Sequence, residues 1–304
     1  MTRLATVALV GVMAAAAFGS GSAGASCGPA SGVATGARAP CPMTTAPTAS
    51  VSRSRAGYSH VVVVIEENYS GSAIIGGGQA PYLKSLAAQG EYFPNYHGVS
   101  HPSEPNYLAL FSGSTQHTDG SDSCIKTSAK SIVGDARSAG VSVKGYIEGL
   151  SSGSGYACRH DPFSQIADAR RAETDFSKFP TSYAALPNLS FVVPNLADDM
   201  HDNGIGSGDR WVRAHLSGYA QWAKTHNSLL IVMSDENDAD PNYGGNQPGE
   251  AGNGALAMAV GARIPAGKVV SGRFDHYSML RTLEDIFGLG HLGASASASD
   301  MIAP

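Results

Sequence analysis

HVVVVI at residues 60–65 is an apolar run, β-branched at every position from Val61, and it leads without a break into Glu66-Glu67-Asn68. A continuous run of this kind marks a strand buried on both faces, the situation inside a parallel sheet. Similar runs follow at VSVKGYI (141–147), LSFVVP (189–194) and SLLIVMS (228–234), with a weaker one at GALAMAV (254–260). Helical patterns lie between and after them. PYLKSLAAQG (81–90) ends on a glycine stop. DRWVRAHLSGYAQWAKTH (209–226) places Val212, Leu216, Tyr219, Ala220 and Ala223 on one stripe, and HYSMLRTLEDIFGLG (276–290) spaces Met279, Leu280, Leu283, Ile286 and Phe287 at helical intervals. Strands alternating with helices predict an α/β fold with a mainly parallel central sheet.

Before His60 the chain reads differently. Residues 4–18, LATVALVGVMAAAAF, follow one basic residue, Arg3, and precede Ala23-Gly24-Ala25. That is the layout of a secretory signal peptide over residues 1–25 with an A-x-A cleavage site, and the run is short for a membrane span. Residues 26–57 are rich in Gly, Ala, Ser, Thr and Pro and read as a flexible lead-in to a single domain over 58–304. An exported chain with Cys27, Cys41, Cys124 and Cys158 is expected to form disulfides. Proximity pairs Cys27 with Cys41 and Cys124 with Cys158.

The whole chain has 304 residues, 42% of them hydrophobic, and a formal net charge of −5. This is enough apolar material for a core. It lacks the Lys/Arg clusters that hold nucleic acid or anionic lipid. No nucleic-acid partner and no stable membrane insertion are expected.

In parallel sheets the loops at the C-terminal strand ends build the site. Here three predicted strands end in hard oxygen donors: Glu66-Glu67-Asn68, then Asn195 with Asp198-Asp199-Met200-His201-Asp202, then Asp235-Glu236-Asn237-Asp238. Gathered at one edge, such groups suit a divalent cation. A second signal is His101-Pro102-Ser103-Glu104-Pro105-Asn106-Tyr107, where Ser103 stands at an N-cap position. Spacing alone favours plain capping. The same geometry also places a hydroxyl at the positive end of a helix, where an alkoxide is stabilised and a phosphate is held. Two rivals are weaker. Gly149-Leu150-Ser151-Ser152-Gly153 fits G-x-S-x-G but leads into more glycine instead of a helix. Asp238-Ala239-Asp240-Pro241-Asn242 begins like a calcium loop, with its glycine one place late and no Glu at position 12.

The ordered motifs EEN, SHPSEPNYLALF (100–111), RHDPF (159–163), VVPNLADDMHD (192–202), LLIVMSDEND (229–238) and HYSMLRTLEDIFGL (276–289) resemble the phosphoesterase family of bacterial phospholipases C and acid phosphatases, within the alkaline-phosphatase-like superfamily. The resemblance spans roughly residues 58–290 and implies a three-layer α/β/α sandwich. It also implies hydrolysis of phosphomonoesters, phosphoinositide head groups among the candidates, through a phosphoserine intermediate. By position it makes Ser103 the nucleophile and His201 the donor of a proton to the leaving group. Glu67, Asn68, Asp235 and Glu236 become ligands of one divalent cation. Asn106, His160 and His276 are expected to hold phosphate oxygens or order the site. Where many relatives have Met-Glu-Asn this chain has Glu66-Glu67-Asn68, so Glu66 is expected to point away. A histidine acid fits an acidic optimum, because an unperturbed imidazole is half protonated near pH ~6.5. The alternatives are a phospholipase C-type phosphodiesterase at the same site and an α/β-hydrolase esterase using Ser151.

Overall fold

A computed structural model describes residues 57–237 and 253–302. The predicted signal peptide, the Cys27–Cys41 pair and the Asp238–Asn242 run lie outside them. The strands are β1 (His60–Glu66), β2 (Glu91–Tyr92), β3 (Tyr96–His97), β4 (Val143–Ile147), β5 (Glu173–Asp175), β6 (Leu189–Val193), β7 (Ser228–Ser234), β8 (Gly254–Ala255), β9 (Ala257–Gly261), β10 (Lys268–Val269) and β11 (Phe274–Asp275). The helices are α1 (Gly71–Gly76), α2 (Pro81–Ala87), α3 (Ser103–Ser112), α4 (Ile132–Ser138), α5 (Pro162–Gln165), α6 (Ile205–Ala223) and α7 (His276–Phe287). One sheet has the order β10-β2-β9-β7-β1-β6-β4-β5, and a small one the order β11-β3-β8.

The run that opened the reading is the centre of the large sheet. β1 pairs in parallel with β6 on one side and β7 on the other. Its side chains alternate between two cores, as the two-residue strand period requires. Val61, Val63 and Ile65 join Leu108 and Phe111 of α3 and Leu280 and Leu283 of α7. Val62 and Val64 join Leu83 and Leu86 of α2 and Val212 and Leu216 of α6. Each fully buried valine contributes ~1.5–3 kcal/mol, so a polar residue at any of these five places would be costly on either face. The result is three layers, α3, α4, α5 and α7 on one side and α1, α2 and α6 on the other. β9 runs antiparallel to both β2 and β7, which makes the sheet mainly and not wholly parallel.

Two helix starts differ from the sequence reading. α6 begins at Ile205, four residues before the predicted Asp209, because Gly206 and Gly208 mask its first turn. A Cβ on Gly208 would come within 2.5 Å of Glu66 Oε2 and of Met200 Cγ, so glycine there admits both side chains. α3 begins at Ser103 itself, and Pro102 takes the cap position without a side-chain cap bond. A shift of one residue frees the serine hydroxyl from the cap.

On the sheet edge, Glu173 of β5 faces Asp161, whose carboxylate caps α5 at Phe163 N–H and Ser164 N–H. Burial, then the Asp161 charge, push Glu173 up to about 7. A raised carboxyl favours the protonated folded form. Its stabilisation is therefore full below the ordinary glutamate range and lost as pH rises through about 7. Glu173→Gln should accordingly melt above wild type at pH 8, and the gap should close toward pH 5. A constant gap in melts across that range would contradict the pairing.

Candidate active site

Sheet register assembles the site. Glu66 pairs with Ser234, so the residues that follow β1 and β7 emerge level with one another. Asp235 N–H donates to Glu66 O at 3.1 Å, Asn68 N–H to Asp235 Oδ1 at 3.3 Å, and Glu67 N–H to Asp199 O at 2.8 Å. Three strand ends that are far apart in sequence thus share one hydrogen-bonded edge. Strand alternation sends Glu66 to the α6 side and Glu67 to the α3 side.

α3 supplies the other wall. Ser103 and Tyr107 stand one turn apart on its site-facing side. Ser103 Oγ lies 3.1 Å from Glu67 Oε2 and 3.0 Å from Glu236 Oε1, and the Tyr107 hydroxyl donates to Glu67 Oε1. The Glu236 Oε2 atom pairs with His101 Nδ1. Ser103, Glu67, Asp235 and Glu236 are all buried. Burial, then the charges of Asp235 and Asp199, hold the Glu67 carboxyl well above its usual range. Burial, then the neighbouring Glu236, does the same to Asp235. Like charges crowded in a dry edge cannot all ionise without a compensating cation.

The donors fit such a cation. Asn68 Oδ1 and Asp235 Oδ2 are buried without a hydrogen-bond partner, as are His160 Nε2 and Asp199 Oδ2. Glu67, His160 and Asp199 each offer an atom, all within 4.8 Å of one another. The expected ligand set shares only Glu67 with that group. In the sequence Asp199 is one of several acids after a strand, and its selection depends on the turn 199–201. There His201 N–H donates to Asp199 Oδ1 at 2.8 Å.

The histidines divide by environment. His160 is buried, stacked on Tyr107 with ring centroids 5.2 Å apart, and 3.4 Å from Glu67 Oε2. Burial, then the Arg159 charge, press it well below its ordinary range. His201 is more open, with Nδ1 2.9 Å from Asp202 Oδ1 and its ring 5.9 Å from that of His160. His276 is fully buried between Tyr96 OH (2.6 Å) and the Asp235 carbonyl (2.5 Å), and burial lowers it to about 4. It orders the Asp235 backbone. Asn106 likewise braces the turn before α3. Its Oδ1 accepts from Val99 N–H and Ser100 N–H, and its Nδ2 donates to the carbonyls of Ser100 and Pro102. His97 and His101, four apart in sequence, part company: His97 bonds Asn95 and His101 pairs with Glu236.

A model of the phosphoesterase family matches residues 76–290. The chain belongs to that family. Among curated relatives, the phosphatidylinositol-3-phosphatase of Mycobacterium tuberculosis is 39% identical over 252 residues, which covers 79% of this chain and 81% of that one. The phosphate-repressible acid phosphatase of Penicillium chrysogenum is 29% identical over 69% of this chain and 55% of its own length, so this chain spans about half of it. Among solved structures, a protein of the alkaline phosphatase superfamily from Vibrio parahaemolyticus aligns with a TM-score of 0.56 at 12% identity, covering 82% of this chain and 71% of that one. The phosphonate monoester hydrolase of Agrobacterium radiobacter aligns at 0.53 and 11%, covering 80% and 76%. These two likenesses concern the fold.

The remaining sequence candidates sit at the margin. Ser151 is exposed on a turn, its N–H bonded to Asp175 Oδ2, and no α-helix follows it as an elbow requires. Cys124 and Cys158 form a disulfide that closes a 34-residue separation. It ties the loop held by Glu104, whose carboxylate accepts from Cys124 N–H and Ile125 N–H, to the turn that carries Arg159 and His160. Replacing both cysteines by serine should cost ~3–4 kcal/mol in the chain-entropy model. Activity should fall as well, because His160 loses its tether. Denaturant midpoints and turnover of one double variant test both, and an unchanged midpoint would exclude the stabilising role.

Proposed function

We propose that this chain is an exported acid phosphatase that hydrolyses phosphomonoesters through a phosphoserine on Ser103. The observation that carries the reading is the placement of the Ser103 hydroxyl, at the first residue of α3 and 3.0–3.1 Å from two buried carboxylates instead of in a cap. A hydroxyl held there faces the positive end of a helix and is positioned to attack in line. The bond formed is Oγ–P, and the bond broken joins phosphorus to the leaving oxygen. His201 gives that oxygen its proton. Water then attacks the phosphoserine, releases inorganic phosphate and restores the hydroxyl.

Glu67, Asn68, Asp235 and Glu236 would hold one divalent cation, with Asp199 and His160 as further donors beside Glu67. When bound, it supplies positive charge that lowers the serine pKa and offsets charge on the phosphoryl oxygens. Tyr107 and His276 fix the Glu67 carboxylate and the Asp235 backbone, so the donor set is ordered before substrate arrives. Export is supported by the residue 1–25 pattern and by the Cys124–Cys158 disulfide. Among the described residues no helix is long and apolar enough to cross a membrane. The Mycobacterium relative's name makes a phosphoinositide head group the first substrate to test. A panel of monoesters, diesters and phosphoinositides across pH, with and without chelator, is the test. Faster turnover of diesters than monoesters would transfer the site to the phosphodiesterase alternative.

A further inference from the structure

The turn that carries His160 also carries Arg159, which none of the roles above uses. The turn is pinned at Cys158, the residue before Arg159, by the Cys124–Cys158 disulfide and by Gln165 Nε2 donating to Cys158 O at 2.7 Å. The guanidinium reaches the rim of the site with its side chain 27% exposed. Its Nε lies 3.3 Å from Asp122 Oδ2, and its Nη2 lies 3.3 Å from His201 Nε2. A guanidinium only donates, so His201 Nε2 is the acceptor in this contact. Arg159 thus stands beside His201, whose ring lies 5.9 Å from that of His160, and His160 in turn lies 3.4 Å from Glu67 Oε2. Nη1 has no protein partner among the described residues.

The floor of the site is acidic, with Glu67, Asp199, Asp235 and Glu236 buried there. A cation on that floor serves the phosphoryl group being transferred. It does nothing for a second negative charge carried by the rest of the substrate, which would meet Asp202 and Asp122 at the rim. A guanidinium with an open N–H edge is the group suited to that charge, since its fork matches phosphate oxygens and it keeps its charge at any working pH. Asp122 holds Nε and His201 meets Nη2, which leaves Nη1 for an incoming anion.

We infer that Arg159 is a specificity residue that binds a second phosphate-type anion on the leaving group, so that the enzyme prefers phosphomonoesters whose alcohol is itself anionic. This rests on the proposed role of His201 at the leaving group. The anion has two chemical sources, a second phosphomonoester or the diester of a lipid head group, and the substrates below separate them. Inositol 3-phosphate, inositol 1,3-bisphosphate and dibutanoyl phosphatidylinositol 3-phosphate share the transferred phosphate and differ in the second anion.

Wild type should favour one or both two-anion substrates over inositol 3-phosphate in kcat/KM. In Arg159→Ala that selectivity ratio should fall ~10- to 100-fold, the size of one lost hydrogen bond to a charged group, and chiefly through KM. Arg159→Lys should recover part of it as a point charge without the fork. Loss of the ratio for the bisphosphate alone names a free phosphate as the ligand, and loss for the dibutanoyl lipid alone names the diester. An equal fall on all three substrates would make Arg159 a brace between Asp122 and His201 and overturn the inference, as would a wild type with no preference. If the alanine variant is poorly folded, the lysine variant reads the same ratio. No turnover of any of the three by wild type would instead count against the phosphatase reading itself.

Discussion

Ser103→Ala should lose at least ~10⁴-fold in phosphatase turnover, the scale on which removing a nucleophile acts, while the protein stays folded. The hydroxyl, at the head of α3, lies within hydrogen-bond distance of both Glu67 and Glu236. The methyl of alanine fits the same space and suits the first turn of a helix, so the melting temperature should change little. Acid quenching with a labelled monoester should leave phosphate on Ser103 in wild type and none in the variant. Ser151→Ala, on an exposed turn, provides the control and should keep wild-type turnover. Full activity in Ser103→Ala, or acyl-type labelling at Ser151, would end the phosphoserine reading.

Asp235→Asn and Glu67→Gln should each lower turnover ~10³-fold, because a cation supplies several kcal/mol of charge stabilisation at ~1.4 kcal/mol per decade. Their effect on stability should differ in kind. Both carboxyls lie in a dry edge, Glu67 beside Asp235 and Asp199, Asp235 beside Glu236, and each is pushed well above its ordinary range. In chelator, removing one charge relieves repulsion and a desolvation cost, so each variant should melt at or above wild type measured in chelator. Added divalent metal should raise the wild-type melting temperature, as any ligand of the native state does, and raise that of the variants less. Elemental analysis of the purified protein completes the test. Near-wild-type turnover in both variants together with no bound metal would sink the cation.

Much of the architecture was legible because burial on both faces leaves a mark that needs no partner to read. β1, β4, β6 and β7 each appear as an apolar run, and α2, α6 and α7 as apolar stripes. The elements that escaped are two- or three-residue strands such as β2, β5 and β10, and single-turn helices such as α5, all too short to show a period. The first turn of α6 escaped for another reason, one of its two glycines, Gly208, being required by the approach of Glu66 and Met200.

The site divides along the same line. Sequence alone determined which segments bring oxygen donors to one edge, because donors directly after buried parallel strands emerge at the same edge of the sheet. Strand alternation also decided that Glu66 and Glu67 must face opposite ways. Pairing decided the rest. The parallel register of β1 with β7 brings Asp235 level with Glu67 across 168 positions of chain, which no local pattern encodes. A one-residue difference in where α3 starts turns Ser103 from a cap into a hydroxyl between two carboxylates. Asp199 becomes a donor beside Glu67 and His160 only through the turn that bonds it to His201. Of the two roles the sequence leaves open for Asn106 and His276, the packing supports ordering the site: Asn106 braces the backbone of residues 99–102, and His276 bridges the Tyr96 hydroxyl and the Asp235 carbonyl. Residue type fixes what a side chain can do, and only the packed neighbours decide which of its lone pairs and protons remain to do it.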